Sequence, residues 1–340
     1  MLYINDSCTD PHWNLAAEEY LLKNFTQPVF RLWRNASSII IGHYQNAYAE
    51  MDMEYVRSNN IKVVRRLTGG GAVFHDLGNL NFTFVEERHP GEDAPAMFRR
   101  FTAPITDALN NIGVKAYLEG RNDLLIDGRK FSGNAVCIHK NRILQHGTLL
   151  YSASMNTLAA ALKSRPEKFI GKAVQSNRSR VTNISDHLFP DRFPEGVQIN
   201  DIQQFRSYLE EFICSRYPEI TPYTYSKEDM EGIGSLLEEK YSRESWNIGT
   251  SPSYSFGKTA KLAGGIIELY MNVEKGVIAR MEIRGDYFFS LPTEEFCNRM
   301  RGAVHTPEGV VRRLAEIGDV SSYFHNVSSS ELEGLFFDAT

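Results

Sequence analysis

The chain has 340 residues, long enough for a large core and, on length alone, for roughly two domains. Its 42% hydrophobic and 11% aromatic content is that of a folded globular protein and excludes a disordered chain, and a net charge of −5 argues against a dedicated nucleic-acid binder. Apolar runs such as SIII at 38–41 fall far short of the roughly 18 residues of a membrane-spanning helix. The start, MLYINDSCTDPHW, has neither a basic n-region nor an apolar h-region, so no secretory signal is expected. Cys8, Cys137, Cys214 and Cys297 are scattered, with no C-x-x-C pair or Cys/His spacing for a metal. They predict reduced thiols in a cytoplasmic protein.

In chain order, Asp10-Pro11 is an N-cap followed by proline and opens a helix over HWNLAAEEYLLKN. PVFRLWR (28–34) and SIIIG (38–42) read as strands, MDMEYVRSNN as a helix, and IKVVRRL as a strand running into Gly69-Gly70-Gly71. NLNFTFV (79–85) alternates like a half-buried strand. APAMFRRFTAPITDALNNIG is a helix ending at Gly113, with a kink or division expected at Pro104. Successive hairpins follow over 114–151, with Asp127-Gly128 as a two-residue turn. The pattern then turns helical in SMNTLAAALK, NDIQQFRSYLEEFICSRY and KEDMEGIGSLLEEKY, with a polar loop at 171–183. Gly, Ser and Pro cluster at 246–254, marking a boundary, and a further hairpin and two or three short helices close the chain. The expected architecture is a mixed α/β main domain over 1–245 with a small α+β appendage over 252–340.

Two stretches carry candidate chemistry. In RRLTGGGAVFHD, Arg65-Arg66 lead into three glycines whose bare N–H groups suit a phosphate or carboxylate. A plain glycine turn with solvent-facing arginines fits the same letters. Gly257-Lys258-Thr259 is no P-loop, because Pro252 stands where that motif needs glycine. In DLLIDGRKFSGNA, the turn at 127–128 pairs Leu125 with Lys130 and Asp123 with Ser132, which puts all four on one face. Such a carboxylate and ammonium suit a magnesium-bound nucleotide; an exposed cross-strand ion pair is the alternative. His146, His75 and Trp33 are compatible with a pocket wall or with core packing. Cys137 in AVCIH reads as a packing residue rather than a nucleophile.

Taken together, RRLTGGGAVFHDLGNLNFTF, GRNDLLIDGRKFSGNA, LQHGTLLY and SRVTN resemble the lipoate–protein ligase family, of the type with a C-terminal accessory domain. SPSYSFGKTAKLAGGIIELYMNVEKG is similar to that accessory domain, so the resemblance spans nearly the whole chain. It implies an α+β fold with the mixed sheet of biotin and lipoate ligases. It also implies a two-step reaction with lipoate, ATP and Mg2+: formation of lipoyl-AMP, then transfer to a lysine of an apo lipoyl domain. The acceptors would be E2 subunits of 2-oxo-acid dehydrogenases and the glycine-cleavage H protein.

Position by position, the resemblance assigns Arg66, Gly71, Ala72, Val73 and Phe74 to nucleotide and lipoate contacts. Lys130 would touch both carboxylate and phosphate, Asp123 would serve the magnesium or adenine side, and His146 would lie near the pocket. Trp33, Val73 and Phe74 would wall an apolar tunnel, and the 171–183 loop would cover the adenylate. The rival readings are an ATP-independent octanoyl or lipoyl amidotransferase using Cys137, and a non-catalytic module that binds lipoyl domains.

Overall fold

The computed structural model describes residues 1–51, 53–157, 162, 169–171, 180–217, 219–249 and 253–337, arranged as an α+β fold on three sheets. The first strands are β1 (Leu2–Asn5), β2 (Val29–Trp33), β3 (Ser38–Ile41), β4 (Lys62–Arg65), β5 (Val73–His75) and β6 (Asn79–Glu87). Then come β7 (Ala116–Glu119), β8 (Asp123–Ile126), β9 (Arg129–His139), β10 (Arg142–Leu150), β11 (Phe169–Gly171) and β12 (Thr221–Pro222). The last are β13 (Tyr254–Leu262), β14 (Gly265–Glu274) and β15 (Val277–Tyr287). The helices are α1 (Pro11–Asn24), α2 (Ala47–Glu50), α3 (Met53–Ser58), α4 (Ala94–Asn111) and α5 (Ile202–Arg216), followed by α6 (Lys227–Leu236), α7 (Glu244–Asn247), α8 (Thr293–Met300), α9 (Pro307–Ile317) and α10 (Ser329–Phe336).

The main sheet has the order β12-β1-β2-β6-β10-β9-β8-β7, parallel at β12-β1-β2 and antiparallel beyond. On one face, Phe30, Leu32, Phe82 and Phe84 pack against Phe101, Ile105 and Leu109 of α4 and against Phe205 and Leu209 of α5. On the other, Val29, Val85 and Leu144 meet Leu21 and Leu22 of α1. β6 is therefore buried on both faces between β2 and β10, not half-buried as its alternation predicts.

The Asp10 carboxylate caps α1 by accepting from the His12 and Trp13 N–H groups, with Pro11 at the first helical position. The helix carries Glu18 and Glu19 into the interior along with its apolar residues. α4 runs through Pro104 without division, held by its buried face of Met97, Phe98, Phe101, Ile105 and Leu109. Half of the expected helix SMNTLAAALK and most of the loop 171–183 fall outside the described residues.

β4, β3 and β5 form a small sheet between two cores. Ile40 and Val64 face Leu15 and Trp33, whereas Ile39, Ile41 and Phe74 pack into one apolar cluster with Phe256, Leu269, Phe296 and Leu314. The C-terminal sheet, β11-β13-β14-β15, thus shares its core with the small sheet and takes in β11 from the preceding half of the chain. Gly257-Lys258-Thr259 lies in the middle of β13, where Lys258 Nζ donates to the carbonyls of Gly334 (2.7 Å) and Phe337 (2.6 Å). That lysine fastens the C-terminal helix.

Candidate active site

Cross-strand register lays one row of residues across the main sheet. Trp33 of β2 stands opposite Asn81 of β6, and Asn81 opposite Thr148 of β10. The Gly133 N–H of β9 donates to Thr148 Oγ1 at 3.1 Å, and Asp123 of β8 stands opposite Gly133. Strands lie ~4.8 Å apart, so this row covers about 19 Å. It floors a cavity of about 750 Å3, roofed by Gly69–Gly71, Ala72, Val73 and His75 and closed at the Trp33 end by Leu15 and Ile40.

At the polar end, the hairpin turn has φ of 49° at Asp127 and 70° at Gly128, the two-residue turn that the sequence predicts. Leu125 pairs with Lys130 as expected, but a bulge then shifts the register. Asp123 faces Gly133, and Ser132 faces Leu124 and is buried, so Ser132 leaves the shared face. Lys130 Nζ reaches Asp123 Oδ1 at 2.8 Å. It does so across Gly133, where a Cβ would stand 3.1 Å from both Lys130 Cε and Nζ. The Lys130 backbone is pinned by the SRVTN segment: its N–H donates to Arg180 O (2.8 Å) and its carbonyl accepts from Thr182 N–H (2.9 Å).

The two arginines before the glycines brace backbone. Arg65 turns to one side and donates to the carbonyls of Gly42, His43 and Gln45. Arg66 donates to Ile40 O (2.9 Å), Gly69 O (2.7 Å), Gly71 O (2.8 Å) and Thr68 Oγ1 (2.8 Å). Arg66 lines the cavity but spends these donors on the loop itself. Burial lowers each guanidinium to about 10, which leaves both charged at neutral pH. Gly70 has φ +90°, and a Cβ on Gly42 would meet Gly70 O at 2.0 Å; both positions need glycine.

Beneath the loop runs a chain of hydrogen bonds. The Trp33 indole N–H donates to Thr83 Oγ1 (2.8 Å), and Thr83 donates to Glu18 Oε1 (2.5 Å). At the other end, Arg66 Nε donates to Thr68 Oγ1, which lies 2.9 Å from His146 Nε2. His146 then donates from Nδ1 to Glu18 (2.9 Å to Oε2). Glu18 is the common acceptor. Burial raises its carboxyl, but the His146 and Thr83 contacts outweigh that, and the net shift is downward.

Trp33, Arg66, Gly71, Ala72, Val73, Asp123, Lys130 and His146 therefore all line one cavity. The Phe74 side chain does not; it points from the opposite face of β5 into the C-terminal core, so the apolar wall loses it. Cys137 lies off the cavity, packed beside Leu21, Leu22 and Leu144, and burial, with Glu19 and Glu18 nearby, pushes its thiol up. Glu18, Thr68, Asn81, Thr83 and Thr148 escape the sequence reading. The clue lies in the polar face Asn79-Asn81-Thr83 of a central strand and in two glutamates within an otherwise apolar helix.

The family described as the lipoyl protein ligase A/B catalytic domain matches residues 10–211. The chain belongs to this family. The bacterial lipoate protein ligase C-terminus matches residues 251–336. A curated relative, lipoate-protein ligase LplJ of Bacillus subtilis (strain 168), is 37% identical over 342 residues, covering 99% of this chain and 100% of its own. Among solved structures, a lipoate-protein ligase A bound with ATP is 28% identical with a TM-score of 0.60, covering 73% of this chain and 98% of its own. A bi-partite lipoate protein ligase from Thermoplasma acidophilum, studied with its E2 lipoyl domain, is 28% identical with a TM-score of 0.62. It covers 73% of this chain and 96% of its own. The ligase A/B family thus matches the segments that carry the glycine loop, the Lys130 hairpin and the His146 strand.

Proposed function

We propose that this protein is an ATP-dependent lipoate–protein ligase that works in the cytoplasm. The observation that carries the reading is the floor row, with its ion pair at one end and indole at the other. From Gly133, over which Lys130 lies, to Trp33 is three strand spacings, about 14 Å. An extended eight-carbon acid, about 9 Å long with C–C bonds of about 1.5 Å, fits that span with room for its contacts. Lipoate's carboxylate sits at Lys130 and its ring near Trp33.

In the first step a carboxylate oxygen attacks the α-phosphorus of ATP. The O–P bond forms, the bond to the β-phosphate oxygen breaks, and pyrophosphate leaves. Two anions must meet, and the Lys130 ammonium and the glycine-loop amides offset their repulsion. In the second step the lysine amine of a lipoyl domain attacks the acyl carbon. The C–N bond forms, the C–O bond to AMP breaks, and the amine gives up a proton. The acceptors are lipoyl domains of 2-oxo-acid dehydrogenase E2 subunits and the glycine-cleavage H protein.

Among the described residues no group of three or more His, Cys, Asp or Glu side chains is placed to hold a metal ion. A Mg2+ ion would therefore take Asp123 as its protein carboxylate and nucleotide phosphates for the rest, the usual habit of that ion, and would neutralise phosphate charge. Residues 1–245 form the catalytic domain and 252–340 the accessory domain in this reading. The amidotransferase alternative is disfavoured by the Cys137 thiol, which is half-buried and lies off the cavity.

The test is to incubate the protein with ATP, Mg2+, lipoate and an apo lipoyl domain and to weigh the acceptor. The lipoyl mass is expected to appear only when ATP is present, and to the same extent with Cys137→Ser. Transfer that needs the thiol but not ATP would overturn the reading.

A further inference from the structure

The apolar end of the cavity holds two buried N–H donors that meet no acceptor among the described residues. Asn14 Nδ2 donates to the carbonyls of Cys8 (2.9 Å) and Arg34 (3.0 Å) and to Asn35 Oδ1 (2.9 Å). That leaves Asn35 Nδ2 facing His75 Nδ1 at 3.1 Å. An amide nitrogen only donates, so His75 accepts at Nδ1 and carries its proton on Nε2. Burial, reinforced by His146 and Arg66, drops His75 to about 3, so the ring stays neutral. Its Nε2–H is buried without a partner among the described residues. Asn81 Oδ1 accepts from Asn79 Nδ2 at 2.9 Å, which leaves Asn81 Nδ2 equally unpaired.

Both residues line the cavity beside Trp33. Asn81 stands directly opposite Trp33 on the floor, and the His75 ring meets the indole edge-on with centroids 6.3 Å apart. Buried donors of this kind cost free energy until something accepts from them. A hydrocarbon tail accepts nothing. A disulfide sulfur is polarisable and accepts weakly, and it suits an aromatic neighbour as well.

We propose that His75 and Asn81 are specificity-determining donors for the sulfur atoms of a dithiolane ring, setting a preference for lipoate over a saturated eight-carbon acid. The proposal rests on lipoate lying along the floor row as described above. A site built to give hydrogen bonds discriminates against a ligand that cannot receive them, because its own groups are left unpaired.

The test compares the intact protein with Asn81→Val and Asn81→Thr, two variants of the same branched shape of which only the second keeps a donor. Each is assayed for pyrophosphate exchange with lipoate and with octanoate, and for binding of either acid without ATP by calorimetry. The lipoate-to-octanoate ratio of kcat/KM is expected to fall about tenfold in Asn81→Val, chiefly through KM for lipoate, and to recover in Asn81→Thr. A ratio unchanged in Asn81→Val, or lowered equally in both variants, would overturn the donor role. Binding keeps the two readings apart: a protein that prefers lipoate in calorimetry but exchanges no pyrophosphate with either acid supports the donor pair and refutes the ligase chemistry.

Discussion

Removing the Lys130 ammonium tests the chemistry where it is most exposed. A unit charge 4 Å from an anionic oxygen is worth about 4 kcal/mol at an effective dielectric of about 20. Part of that is already spent in the ground state on Asp123, at 2.8 Å. Lys130→Ala should therefore slow lipoyl-AMP formation by roughly 10²–10³-fold, the usual loss for one preorganised charge donor. Stability should hardly change: the two side chains are 26% and 32% exposed, and such pairs contribute at most about 1 kcal/mol. Single-turnover adenylation and a thermal melt read the two effects separately. Adenylation by Lys130→Ala within about tenfold of wild type would refute the reasoning.

Three more outcomes follow from the geometry. Gly133→Val puts side-chain atoms where Lys130 Cε and Nζ now lie, only 3.1 Å from a Cβ, and should cut adenylation about 100-fold with little change in melting temperature. Glu18→Gln leaves either Thr83 or His146 without its acceptor and should cost about 1–3 kcal/mol in urea unfolding; an unchanged midpoint would show that the chain of hydrogen bonds is not a stabilising unit. His75 and His305, lowered by burial to about 3 and about 4, stay neutral in the folded protein but gain protons near pH 6.5 once unfolded. Stability should therefore decline as pH falls from about 6.5 towards 4, by up to ~1.4 kcal/mol per pH unit for each histidine, and unfolding at pH 5 should take up protons. Flat stability over that range would contradict the burial of both rings.

The sequence reveals a residue's face wherever one period governs it, and misleads where the register changes. Lys130 and Asp123 are readable because Asp127-Gly128 fixes a turn whose consequences can be counted outwards. The count fails at Ser132, one residue past an unsignalled bulge. Phe74 sits next to Val73 on β5, and only the pairing of that strand with β3 shows which of the two faces the cavity. The arginine pair looks like an anion site in one dimension. In three, both guanidinium groups are drawn to nearby carbonyls that need them, because a loop of bare glycines has no side chains of its own to hold it. Glu18 is hidden for a related reason: its partners Thr83 and His146 lie 65 and 128 residues away, and no local pattern joins them.

The most direct measurement is a crystal structure of the protein with a non-hydrolysable analogue of lipoyl-AMP. Lys130 Nζ should have left Asp123 to stand about 3 Å from both the acyl carbonyl and a phosphate oxygen, with the ring of the analogue against Trp33. An amine still held by Asp123, or an acyl chain running away from the Trp33–Asn81–Thr148 floor, would contradict the account.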